Sequence, residues 1–124
     1  MPATAEFDAV FARLKPIMAA YEPELKIQHD DVGRYYLVTP YLGPNRQPLW
    51  FGGVEIKKNY VSYHLMPVYM FPEILDSVSD ALKKRMQGKS CFNLKKLDET
   101  LIAELADLTR RGYECLKQQY TTAE

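Results

Sequence analysis

The chain has 124 residues, 47% hydrophobic and 12% aromatic, enough for one domain with its own core and too little for two. Sixteen basic side chains balance sixteen acidic ones, which argues against a general nucleic-acid binder. No apolar run nears the roughly 20 residues that span a bilayer, the N-terminus has no basic start followed by an apolar stretch, and two cysteines are too few for a disulfide framework, so a cytoplasmic protein with free thiols and no membrane partner is expected.

In chain order, Phe7, Val10, Phe11, Leu14, Met18 and Tyr21 recur every three or four residues and predict an amphipathic helix. Thr4 is placed to cap it, Glu6 and Asp8 suit its positive end, Pro16 removes a backbone donor, and Pro23 closes it. Leu25, Ile27 and His29 then alternate with Lys26 and Gln28, Asp30-Asp31-Val32-Gly33 supplies turn chemistry, and Tyr35-Tyr36-Leu37-Val38 resumes as a strand. Residues 40–48, with three prolines and Gly43, form a loop. Residues 49–56 give a third strand with Trp50, Gly52, Val54 and Ile56 expected on one face. Gly52-Gly53 points to a bulge or a close backbone approach.

Lys57-Lys58-Asn59 turns into a fourth strand, residues 60–66, with Val61, Tyr63 and Leu65 opposite Ser62, His64 and Met66. Pro72 opens a helical segment whose buried side is Ile74, Leu75, Val78, Leu82 and Met86, with Ser79 as a second cap and Gly88 as a left-handed stop. Residues 90–94 form a short fifth strand, and Asp98 caps a last helix marked by Leu101, Leu105, Leu108, Cys115 and Leu116. The order is α-β-β-β-β-α-β-α, without β-α-β alternation. The expected fold is therefore α+β: a two-layer sandwich in one domain, 1–124, with an antiparallel sheet of about five strands and helices packed on one face.

The stretches FGGVEIKKNYVSYHLMPVY (residues 51–69) and LKKRMQGKSCFNLKKLDETLIAELADL (residues 82–108) resemble the YdhG-like family, a bacterial group classed as a domain of unknown function. The likeness runs from the first helix to the last, through a shared hydrophobic framework with few polar signatures. The resemblance implies a frataxin-like α/β sandwich. Some members of that family are described as intracellular iron chaperones, and frataxins hold iron on an acidic ridge of the first helix and strand. Here that region offers Glu6, Asp8, Glu22, Glu24, Asp30 and Asp31, interspersed with Arg13, Lys15 and Lys26. Glu22, Glu24, Asp30 and Asp31 are the iron ligands this alternative would use.

Gly88-Lys89-Ser90 matches the end of a phosphate-binding loop, but the glycine required five residues earlier is Lys83, and a helix precedes the triplet instead of following it. Strand parity gathers His64, Ser62, Glu55 and Lys57 with Cys91 and Asn93 on one sheet face. A Cys–His pair can act as an activated nucleophile or supply two metal ligands. No third group that orients the histidine is identifiable in the sequence, nor a ligand pair at metal-binding spacing, so a hydrogen-bonded histidine on a wet face is the reading.

Residues 57–96 carry eight bases against three acids, with tyrosines interleaved. The expectation is a non-catalytic binding module for a small anionic ligand or a partner protein, a second copy of the chain included, with no cofactor. Its ligand-binding residues are Lys57, Tyr60, Ser62, His64, Arg85 and Lys89. Tyr41, Trp50 and Tyr69 would mark a partner surface. Iron binding or delivery is the alternative function.

Overall fold

The computed structural model describes residues 2–42, 46–88 and 90–122. The N-terminal three-and-four spacing folds as helix α1 (Pro2–Ala19), with Phe7, Val10, Leu14 and Met18 buried. The helix begins at Pro2, so Thr4 lies inside it instead of capping it. It also runs through Pro16, whose ring is exposed, where water can take the carbonyl that loses its donor.

Four strands follow, β1 (Lys26–Asp31), β2 (Arg34–Leu42), β3 (Pro48–Ile56) and β4 (Val61–Leu65). After a helical stretch come β5 (Met86–Gln87) and β6 (Cys91–Leu94). Together they make one antiparallel sheet in the order β1-β2-β3-β4-β6-β5. The fold is thus α+β on an antiparallel sheet, with six strands where the pattern suggested five.

The sixth strand comes from the end of a segment read as helical from Pro72 to Gly88, in one piece or in two with Ser79 as the second cap. Residues 66–85 instead form short pieces: α2 (Met66–Met70), a 3-10 turn (Pro72–Ser77) and α3 (Asp80–Lys83). Val78 is extended between the last two, at φ −79° and ψ 140°. Ile74, Val78 and Leu82 are all buried, but from the 3-10 turn, the extended link and α3 respectively, so their spacing imitates one helical face. Ser79 does cap α3, accepting from the Leu82 amide at 3.2 Å. Gly88, at φ 80°, serves the turn between β5 and β6 instead of ending a helix.

A bulge in β3 changes which face carries which aromatic. Leu37 pairs with Gly52 while Val38 pairs with Trp50, leaving Phe51 as an extra residue on β3. Phe51 therefore turns into the core, and Trp50 moves to the other face, against His64. The expectation that Trp50 shares a face with Val54 fails because one inserted residue reverses strand alternation. The glycines after it answer to close approach. A Cβ on Gly52 would collide with the His64 carbonyl and sit 2.7 Å from Met18 Cε; one on Gly53 would collide with the Tyr36 ring.

The core collects Tyr35, Leu37, Val54, Tyr63, Leu65, Phe92 and Leu94 from the sheet with the buried sides of α1 and of helix α4 (Glu99–Thr122). Tyr63 Oη and Thr109 Oγ1 meet at 2.5 Å in that core, and Thr109 donates onward to the Leu105 carbonyl at 2.6 Å. Asp98 caps α4 as expected, its carboxylate accepting from the amides of Thr100 and Leu101 at 3.1 and 3.2 Å. Arg13 of α1 grips Glu99 at the start of α4 through two nitrogens. Among the described residues no helix is long and apolar enough to cross a membrane.

Candidate functional site

Two polar centres involve residues of β6. The first is built by cross-strand register on the face opposite Tyr63 and Phe92. Gly53 of β3, His64 of β4 and Cys91 of β6 form one row; Glu55, Ser62 and Asn93 form the next. In the His64 row, Nδ1 lies 3.2 Å from Cys91 Sγ, and Nε2 lies 2.6 Å from the hydroxyl of buried Ser90. Ser62 Oγ reaches the same sulfur at 3.2 Å. The result is a four-member chain, Ser90–His64–Cys91–Ser62. A neutral imidazole has one donor and one acceptor nitrogen, so it can take the thiol proton only when Nε2 donates to Ser90.

Aromatic rings wall this chain. Trp50 packs on the His64 ring with centroids 4.4 Å apart, and Tyr36 meets Trp50 edge-on at 5.4 Å. Burial lowers the His64 pKa from its usual 6.5 by penalising the charged form. The Tyr36 hydroxyl donates to the Glu55 carboxylate. Burial first, and that carboxylate second, push the Tyr36 phenol up to about 12. Burial alone would raise Glu55, but hydrogen bonds from Tyr36 and from Lys57, whose Nζ is 3.2 Å away, hold it below its ordinary value. Trp50 Nε1 is buried and finds no acceptor among the described residues.

The second centre is basic. Asn59, Tyr60, Lys84, Arg85, Met86, Gln87, Asn93 and Lys95 line a groove of about 430 Å³ with no carboxylate among the described residues. It exists because β5 lies beside β6 and brings Lys84 and Arg85 next to the β3–β4 turn. Lys84, Arg85 and Lys95 also line a neighbouring groove with Lys96 and Asp98, whose carboxylate is engaged in capping α4. Elsewhere, Arg13, Arg34, Arg110 and Arg111 are all matched to carboxylates. Lys84, Arg85, Lys95 and Lys96 have no such partner among the described residues.

The residues expected to share one ligand surface are thus divided. Tyr60 and Arg85 line the basic groove; Ser62 and His64 belong to the thiol chain; Lys57 is tied to Glu55. Lys89 lies outside the described residues. Ser90 is the orienting group missing from the sequence reading, hidden in a triplet that looked like the end of a phosphate loop. Lys84, Lys95 and Asn93 gain their place only through pairing of distant strands.

The four carboxylates of the iron alternative face separate partners. Glu22 accepts from the Tyr35 hydroxyl and Glu24 from that of Tyr113, Asp30 pairs with Lys15 at 2.8 Å, and Asp31 lies 3.8 Å from both His29 and Arg34. Among the described residues no group of three or more His, Cys, Asp or Glu side chains is placed to hold a metal ion. Compared with known proteins, the chain matches no family model, no curated protein and no solved structure.

Proposed function

We propose that the protein is a cytoplasmic, non-catalytic binding module of YdhG-like type, and that its ligand is a small anion held in the basic groove. The observation that carries this reading is the charge of Lys84, Arg85 and Lys95, unmatched among the described residues, around a cleft whose described lining has no carboxylate. Cations held near one another repel and lose hydration, so an anion that bridges them relieves both costs. Arg85 supplies a planar fork suited to a carboxylate or phosphate, and the amides of Asn59, Gln87 and Asn93 add donors at the wall. The Tyr60 ring lines the same groove and would stack on an aromatic part of the ligand.

The test is an amide-resolved NMR titration with inorganic phosphate and then pyrophosphate. Shifts are expected at Tyr60, Arg85, Gln87, Asn93 and Lys95, with affinity falling as salt rises. Arg85→Ala should weaken phosphate binding by about tenfold or more, the scale of losing a charge-assisted hydrogen bond. No movement in that set on adding either anion removes the reading. Ferrous iron added anaerobically to the same sample addresses the frataxin-like alternative. Broadening confined to Glu22, Glu24, Asp30 and Asp31 would put iron in place of the anion.

A further inference from the structure

The thiol chain on the sheet face is independent of the basic groove and has a chemistry of its own. A reactive cysteine needs a base within hydrogen-bond reach and a third group that fixes the base. Cys91 has both: His64 Nδ1 at 3.2 Å, and Ser90 at 2.6 Å from the far nitrogen of the same ring. Ser62, also at 3.2 Å, adds a hydroxyl able to donate to the sulfur as negative charge develops there. Trp50 packs on His64 with an indole N–H that has no acceptor among the described residues. Cys91 is half-buried, so the reagent it meets is small. Cys115, in α4, is also half-buried but has no hydrogen-bond partner among the described residues.

We infer that Cys91 is a modification site, oxidised by hydroperoxides to a sulfenic acid, with His64 as the base and Ser90 as its positioning residue. The thiol proton passes to His64 Nδ1, and the thiolate attacks the outer peroxide oxygen. The new S–O bond forms as the O–O bond breaks, so sulfur gives up two electrons and the peroxide takes them. The departing hydroxide or alkoxide recovers the proton from His64 and leaves as water or an alcohol. The sulfenic acid is reversible by thiols, which makes the site a switch on the sheet face.

The experiment exposes the full chain to limiting hydrogen peroxide, traps sulfenic acid with a cyclic 1,3-diketone, and counts labelled peptides by mass spectrometry over time. Cys91 should label at least about tenfold faster than Cys115 in the same molecules, the change in thiolate fraction that one unit of thiol acidity brings. His64→Gln should abolish that lead. Ser90→Ala should reduce it and Ser90→Thr, which keeps the hydroxyl, should restore it. Equal labelling of the two cysteines in the unaltered chain overturns the inference without reliance on any variant. An undiminished lead in a folded His64→Gln protein also overturns it.

Discussion

A histidine that loses hydration on folding prefers to stay neutral, and His64 is such a residue. Its folded pKa lies below the usual 6.5, so under acid conditions the unfolded chain binds the proton more readily than the folded one. Stability from this group is full above pH 6.5 and falls as pH drops from there through the folded pKa. Urea midpoints measured at pH 7.5 and 5.5 should show the loss, and His64→Gln should flatten the difference between them. An unchanged pH difference in that variant would assign the acid sensitivity to other groups. Strand parity alone placed His64, Cys91, Ser62, Glu55 and Asn93 on one face, and the cross-strand rows agree. The same reading began the fifth strand at Ser90, but Ser90 precedes β6 and its hydroxyl meets His64 from outside the alternation.

Elements were legible where one local rule governed them and obscure where two competed. The Asp98 cap followed from residue type and position, and the carboxylate does accept two amides at the start of α4. Asp98→Ala should therefore cost about 1 kcal/mol, read as a lower urea midpoint at unchanged slope. A loss well below that would mean that the grip of Arg13 on Glu99 secures the helix end by itself. In β3 the alternation rule met a bulge and gave the wrong face for Trp50. Between Pro72 and Gly88 the helical period survived only as a coincidence of two short helical pieces and the extended residue between them, which concealed β5. A strand of two residues carries too little pattern to announce itself; Met86 and Gln87 are extended because β6 offers them partners.

At the scale of the molecule, the class of fold was set by element order, because strands in succession without helical crossovers must pair antiparallel. The basic groove was not legible. Its wall joins Tyr60, Arg85 and Asn93, which meet only once β4, β6 and β5 lie side by side. Sheet and α4 are joined in the core by the Tyr63–Thr109 hydrogen bond. Removing either partner has unequal effects, because Thr109 keeps its bond to the Leu105 carbonyl whereas Tyr63 Oη has, among the described residues, Thr109 alone. Tyr63→Phe should cost about 1 kcal/mol, and Thr109→Val more, up to about 3 kcal/mol, since it strands a buried hydroxyl. The double variant should recover part of the Thr109→Val loss in a urea-based mutant cycle; strict additivity would show that the bond does not couple sheet to helix.

The bulge that moves Trp50 onto His64 also gives the protein an optical label of its own. The sequence contains a single tryptophan, so all indole emission originates one ring away from the thiol chain. A neutral imidazole leaves that emission largely intact and a protonated one quenches it, so brightness tracks the charge of one side chain. A fluorimeter can therefore follow this face of the sheet in unmodified protein, while the basic groove, lined by the Tyr60 ring and no tryptophan, stays dark at the same wavelength.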